Sequence, residues 1–299
     1  MKTQIEQFKK EKNAVILAHY YAPLEVQEVA DHVGDSFYLA KIAKQCTADI
    51  IVFCGVAFMG ESAKILNPGK KVLMPDLTAD CPMAHMVIPG IIEKMRSAYE
   101  DLAVVCYINS TAELKCQSDV CVTSSNAVKI VKALPNKNVF FIPDKNLGRH
   151  VAQQVPEKNI ILNDGCCPIH AAITVEQLQA VKQKHPDAIV LSHPECEEPV
   201  LAISDFIGST ADIIKYASQC TASEYIICTE QGVAYKLIAD NPGKRFYFPS
   251  PCPSCLDMKR NTLESLLEVL QTESNEVIVS DTMREMALKP LDKMLEYAK

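Results

Sequence analysis

The chain has 299 residues, 48% hydrophobic and 22% charged, a globular composition long enough to bury a sizeable core in one to three domains. A formal net charge of −7 argues against nucleic acid as the main partner, because binding a phosphate backbone needs basic patches. No apolar run approaches the ~20 residues of a membrane span, and the polar start MKTQIEQFKKEK lacks an apolar signal core, so a cytoplasmic protein with no membrane partner is expected.

In chain order, a polar helix over 3–11 precedes the apolar run VILAHYY (15–21), which reads as a strand ending near His19 and Tyr21. A short strand is expected in DHVGD, followed by Ser36 and the helical pattern FYLAKIAKQC. DIIVFCG (49–55) and KKVLMP (70–75) are further strands flanking a helix-like stretch, and a loop then carries Cys81 in DCPM. The plan restarts at VVCYINS (104–110), whose strand ends near Tyr107 and Asn109. SDVCV, Ser124 in TSS, the pattern SNAVKIVKAL, and strands NVFFIP (138–143) and KNIILN (158–163) follow, and a loop carries Cys166, Cys167 and His170. PDKNLG (143–148) reads equally as an active-site loop or as a plain turn and helix start. A third copy runs from VLSHPEC (190–196), with His193 and Glu195 at its strand end. It continues through SDFIG, Ser209 and Thr210 in GST, the pattern TADIIKYASQ, and strands EYIICT (224–229) and KRFYFP (244–249), to the loop CPSCLDM with Cys252 and Cys255. NTLESLLEVLQ then reads as a helix, EVIVS follows, and a final helix is expected over 281–297.

The copies keep one period. His19, Tyr107 and His193 lie 88 and 86 residues apart; Ser36, Ser124 and Ser209, 88 and 85; Cys81, Cys167 and Cys255, 86 and 88. Several features sharing one interval point to internal triplication. Short apolar strands alternating with helices indicate βαβ units and buried parallel sheets. The expected fold is α/β: three homologous Rossmann-like three-layer α/β/α domains with short parallel sheets about a pseudo-threefold axis, without a GxGxxG loop. The boundaries are placed at 1–82 together with 257–299, at 83–168, and at 169–256, with the tail packed on the first unit. Strand C-terminal ends share an edge in such sheets, so the residues there would line one central cavity.

Thirteen cysteines is an odd count, and a reducing compartment disfavours disulfides. Cys54, Cys106 and Cys228 sit inside apolar runs and read as small buried hydrophobes. The three loop cysteines differ. Three thiolates suit zinc or an iron–sulfur centre. A single CxxC, Cys252 to Cys255, is weak evidence for structural zinc. One ligand from each unit fits a [4Fe–4S] cluster better, with one iron left open as a Lewis acid. Cys166 beside Cys167 and Cys252 beside Cys255 leave the ligand choice open, although place in the repeat favours the second of each pair. Ser36, Ser124 and Ser209 each precede a helix, so they read as N-caps worth ~1 kcal/mol each. Converging on one cavity, the same helix starts would form an anion site, with Thr210 adding a hydroxyl. Glu195 is the general acid–base candidate, His170 a residue that orients substrate or cluster, and Asn109 an amide able to hold a carboxylate. A cluster-dependent hydro-lyase, an iron–sulfur sensor and a structural zinc protein are the rival readings.

ILAHYY, GDSFYLA, CGVAFMGESAKILNP, DCPMA, YINSTAELK, TSSNA, PDKNLG, CPIH, HPEC, GST, TEQG and CLDMKRNTLESLLEVLQTES together resemble the quinolinate synthase family, over nearly the whole chain. The resemblance implies a transferase of NAD biosynthesis. It would condense iminoaspartate with dihydroxyacetone phosphate to quinolinate, phosphate and two waters, using a [4Fe–4S] cluster as Lewis acid in dehydration. It implies Cys81, Cys167 and Cys255 as ligands. It also implies that Cys252 forms a disulfide with Cys255 under oxidation, destroying the cluster. His19, Tyr21, Ser36, Tyr107, Asn109, Ser124, His193, Glu195, Ser209 and Thr210 match the family's substrate-binding positions, with Glu195, Tyr21 and His19 as proton carriers. L-aspartate oxidase or aspartate dehydrogenase would be the functional link that supplies iminoaspartate.

Overall fold

The computed structural model describes residues 1–297. The first sheet holds β1 (Ala14–His19), β2 (His32–Gly34), β3 (Ile50–Cys54) and β4 (Lys71–Leu73), in the order β2-β1-β3-β4. The second holds β5 (Leu102–Tyr107), β6 (Val120–Val122), β7 (Asn138–Ile142) and β8 (Asn159–Leu162), in the order β6-β5-β7-β8. The third holds β9 (Ile189–Ser192), β10 (Phe206–Ile207), β11 (Glu224–Cys228) and β12 (Arg245–Tyr247), in the order β10-β9-β11-β12. Every pairing within these sheets is parallel. One strand order used three times is the α/β architecture that the periodic sequence predicts.

The central strands are Val-, Ile- and Phe-rich because helices cover both faces of each sheet. All six residues of β5 and all five of β3 are buried. Alternation along β1 and β3 sorts side chains between two environments. Ile16, Ala18, Val52 and Cys54 face the terminal helices Lys2–Glu11 and Leu263–Thr272, through Ile5, Leu266 and Leu270. Leu17, Ile51 and Phe53 face the main core shared with the second sheet. Cys54, Cys106 and Cys228 are fully buried, as expected for thiols used as hydrophobes.

The tail divides its packing. Leu263–Thr272 lies on the first sheet, but Asp281–Tyr297 also rests on Ala112–Cys116, β6 and Ala127–Ala133, beside Ala57–Leu66 of the first unit. Its apolar face (Ala287, Leu291, Met294) therefore stitches the first sheet to the second, where the sequence placed the whole tail on the first. EVIVS contributes one antiparallel bridge, Glu276 to Leu73, rather than a strand. Among the described residues, no helix is long and apolar enough to cross a membrane.

The register fixes the functional edge. His19 pairs with Gly34, Tyr107 with Val122 and Ser192 with Ile207, so the first two strands of every sheet end level. The residues just beyond those ends leave each sheet on one side. Crossover connections that part in opposite directions open a crevice there.

Candidate active site

The three strand-end crevices open into one cavity of about 270 Å³. His19, Tyr21 and Ser36 line it from the first unit; Tyr107, Asn109, Ser124 and Cys167 from the second; His170, His193, Glu195, Thr210 and Cys255 from the third, with Cys81 completing the thiol set. Cys166 and Cys252 lie outside this lining. So does Ser209, which is fully buried.

The serines divide between two uses. Ser209 is an N-cap: its hydroxyl accepts from Asp212 N at 3.2 Å and donates to Asp212 Oδ2 at 2.6 Å, leaving no proton to donate to a ligand. Ser36 and Ser124 are not caps. Asp35 accepts from Tyr38 N at the first of those helices, and Asn126 precedes the second, its Oδ1 taken by Thr123 N. Their hydroxyls are therefore left for the cavity.

Two strand ends use the same local device. Tyr21 N donates to His19 Nδ1 at 3.1 Å, and Glu195 N donates to His193 Nδ1 at 3.3 Å. Each contact fixes the acceptor nitrogen of a neutral ring and turns its Nε2–H toward the cavity. Both rings are neutral because burial drives His19 and His193 down to about 3, against the pull of Glu195. His193 Nε2 reaches Ser124 Oγ at 3.3 Å.

Glu195 is the centre of the polar network. Burial alone would raise its carboxyl, but His170 beside it, with the hydrogen bond that ring donates, outweighs burial and holds it ionised. His170 Nδ1 lies 2.8 Å from Glu195 Oε2, and the carboxylate accepts there, so the proton of that ring sits on Nδ1. His170 Nε2 then accepts from Thr229 Oγ1 at 2.8 Å, Thr229 accepts from Tyr21 Oη at 2.8 Å, and Tyr21 accepts from Thr210 Oγ1 at 2.7 Å. One directed chain thus joins the phenol of the first unit to the carboxylate of the third. Glu195 Oε1 and Asn109 Oδ1 have no hydrogen-bond partner among the described residues, although both are buried. Buried acceptors are normally satisfied, so these two mark places for a ligand's hydrogens.

Thr229 escaped the sequence reading. It stands one residue past β11, where the other copies carry Gly55 and Pro143, so the repeat gave no hydroxyl to look for. Glu230 and Asp144 escaped too. Both are fully buried, and each accepts the backbone N–H of a loop cysteine: Cys255 N to Glu230 Oε1 at 3.1 Å, and Cys167 N to Asp144 Oδ2 at 3.0 Å. PDKNLG is a turn and helix start, with Asp144 Oδ1 capping through Leu147 N at 2.6 Å.

The donor set fits a metal centre. Burial pushes the Cys81 thiol up to about 12 and Cys167 and Cys255 upward as well. Thiols gathered in a cavity without lysine or arginine in its lining become thiolates when a cation supplies the charge. Cys167 Sγ, a His170 nitrogen and a Glu195 oxygen also lie within 4.8 Å of one another, a group compatible with a metal cofactor.

The family model described as quinolinate synthetase A protein matches residues 3–296. Over 295 residues the chain is 50% identical to the quinolinate synthase of Clostridioides difficile, covering 99% of this chain and 97% of that protein. It is 51% identical over 298 residues to the quinolinate synthase of Fusobacterium nucleatum, covering 100% and 99%. The quinolinate synthase of Aquifex aeolicus is 47% identical over 303 residues, covering 100% and 94%. A match of that extent, in a fold that gathers the same strand ends around one cavity, means that the chain belongs to the quinolinate synthetase A protein family.

Proposed function

We propose that this chain condenses iminoaspartate with dihydroxyacetone phosphate to give quinolinate, phosphate and two waters, as a cytoplasmic enzyme of NAD biosynthesis. L-aspartate oxidase or aspartate dehydrogenase would supply the iminoaspartate. Cys81, Cys167 and Cys255 would hold a [4Fe–4S] cluster. The residues fall into three units, 1–82 with 257–299, 83–168, and 169–256, each bringing one cysteine. The observation that carries this reading is the single cavity lined by those three cysteines together with Tyr21, Tyr107, His193 and Glu195.

Both substrates are anionic, and the lining holds neither lysine nor arginine. Recognition therefore rests on neutral donors. The Ser36 and Ser124 hydroxyls and the His19 Nε2–H bind carboxylate and phosphate oxygens, with His193 Nε2 holding Ser124 in place. Asn109 Oδ1 and Glu195 Oε1, both unpartnered, accept the imine or enamine N–H and a triose hydroxyl. Glu195, ionised among its histidines, takes a proton from the carbon that becomes nucleophilic as the enamine forms. That carbon attacks the phosphate-bearing carbon of the triose, and phosphate leaves. Tyr21 delivers a proton to a departing hydroxyl and is reprotonated from Glu195 once the His170 tautomer and the Thr229 and Tyr21 hydroxyls have reversed direction. Relays of this kind contribute typically 10²–10⁴-fold. The cluster, when bound, supplies a Lewis-acidic iron for the dehydrations. Ser209 is retained in our reading as a helix cap that sets Thr210 beside Tyr21.

The test is product formation by anaerobically purified protein given iminoaspartate with and without dihydroxyacetone phosphate. Quinolinate should appear only with both. Dehydration of a hydroxy acid without triose phosphate would favour the hydro-lyase reading, and failure to form quinolinate in iron-loaded protein would end ours.

A further inference from the structure

The segment that follows the third strand of each sheet reaches the functional loop of the next sheet. After β3, Glu61 Oε2 accepts from Ala112 N at 2.8 Å, at the end of the loop that carries Tyr107 and Asn109. After β7, Asn146 Nδ2 donates to Glu195 O at 3.0 Å. After β11, the Glu230 carboxylate pairs with Lys259 Nζ at 2.9 Å, and the same ammonium donates to Tyr21 O at 2.6 Å. The contacts run in a ring: first sheet to second, second to third, third to first.

In all three places the residue three past the strand donates its backbone N–H to the cysteine loop, Ala57 N to Ala79 O at 2.8 Å, Lys145 N to Gly165 O at 2.7 Å and Gln231 N to Pro253 O at 2.8 Å, and in two of them a buried acid adds a second hold. Asp144 holds Cys167 N, and Glu230 holds Cys255 N. Both acids stand two residues past their strand. The first sheet has Val56 there, and Cys81 N is held only by its own neighbour, the half-exposed Asp80, at 2.7 Å. Each buried acid accepts with both oxygens: Asp144 from Leu147 N and Cys167 N, and Glu230 from Gly232 N at 2.6 Å and Cys255 N. A carboxylate that bridges two backbone segments fixes their relative position more tightly than a neutral group does.

We propose that Asp144 and Glu230 are positioning residues, each fixing one cysteine loop and, through Asn146 and Lys259 respectively, the proton-carrying group of the neighbouring sheet. The thiolates and the proton carriers are then held as one framework. The Cys167 and Cys255 loops are then held twice, by backbone and by carboxylate, whereas the Cys81 loop has the backbone contact from Ala57 without the buried acid. The role in cluster holding rests on the ligand assignment proposed above; the latch itself does not.

Asp144→Asn and Glu230→Gln place an amide NH2 where an acceptor faces a backbone N–H, at nearly unchanged volume. In full-length protein stripped of iron by a chelator, iodoacetamide labelling of each cysteine is followed by peptide mass spectrometry. Asp144→Asn should speed labelling of Cys167 by about tenfold or more, the scale of one charge-assisted hydrogen bond, while Cys255 and Cys81 label at the wild-type rate. Glu230→Gln should do the same for Cys255 alone. In iron-loaded protein both variants should lose iron to the chelator faster. Wild-type labelling of Cys167 and Cys255 overturns the proposal, and so does equal acceleration of all three, which reports a loosened fold. Should either acid variant fail to fold, Asn146→Ala and Lys259→Met leave both acids in place and test the second half. They should lower kcat about tenfold or more with KM little changed and iron retained; unaltered kcat overturns it. Retention of iron by Cys167→Ser would instead remove the ligand assignment and leave the labelling result standing.

Discussion

Replacing Thr229 with valine tests the proton path with little change of shape. Thr229 is fully buried, and its hydroxyl lies 2.8 Å from both Tyr21 Oη and His170 Nε2. Valine fills the same space without the oxygen. Tyr21 Oη keeps Thr210 at 2.7 Å and turns its proton to that hydroxyl, which leaves His170 Nε2 without a partner. One unpaired buried acceptor costs ~1–3 kcal/mol, and each kcal/mol lowers the melting midpoint of a chain of this size by roughly 2–4 °C. The fold and the thiols should therefore survive. Turnover should not, because the phenol loses its route to Glu195, and acid–base steps supply about 10²–10⁴-fold. We expect kcat to fall about a hundredfold or more with unchanged iron and sulfide content, and Thr229→Ser to restore most of it. Quinolinate formation under nitrogen, visible absorbance and a thermal melt on the same preparations separate these effects. Wild-type kcat in Thr229→Val, or a serine variant no better than valine, would refute the relay.

Cys81→Ser, Cys167→Ser and Cys255→Ser should each abolish the iron–sulfur absorbance and quinolinate formation, whereas Cys166→Ser and Cys46→Ser should keep both; absorbance retained in one of the first three removes that residue from the ligand set. Glu195→Gln should keep the cluster and lose turnover by about 10²-fold or more, and normal turnover excludes it as proton carrier. Burial lowers the folded pKa of His19 to about 3, well under its ordinary 6.5. Between those values the unfolded chain binds the extra proton, so stability is full above about pH 6.5 and falls as pH drops, by up to ~1.4 kcal/mol per unit for this group. His19→Asn should flatten that slope in denaturant titrations, and an unchanged slope would refute the burial argument. A Cβ at Gly232 would lie 2.7 Å from both Tyr20 O and Tyr21 Cα, backbone atoms that cannot yield cheaply. Gly232→Ala should destabilise by about 1–3 kcal/mol and lower kcat, read by urea unfolding and quinolinate assay.

The sequence was most legible where backbone chemistry repeats. Runs such as AVVCYI and EYIICT need burial on both faces, so they could only be central parallel strands, and their polar endings marked the edge. It was least legible where a side chain chooses between equivalent uses. Ser36, Ser124 and Ser209 look alike along the chain, yet Asp35 and Asn126 displace the first two from the N-terminal position, while Asp212, three residues on, recruits the third into a capping box. Thr229 gave no periodic signal because the repeat has diverged there, and its role depends on Tyr21 and His170, each brought up by a different sheet. The final helix keeps its expected bounds, 281–297, but its contact with the second sheet was hidden for a related reason. An amphipathic stripe announces that it needs a hydrophobic surface but not which one, and Asp281–Tyr297 found its surface across two sheets.

The two helices laid on the outer face of the first sheet come from opposite ends of the chain. Ile5 meets Leu266 and Leu270 over Ile16 and Val52, a pairing of residues about 260 positions apart. On the ribosome the earliest sheet is therefore made with one side only partly covered, by Lys2–Glu11, and it stays so until Leu263–Thr272 emerges. Domains made early usually settle early; here the opening part must wait. Chains halted shortly before residue 263 should accumulate as sticky species that need chaperone shelter.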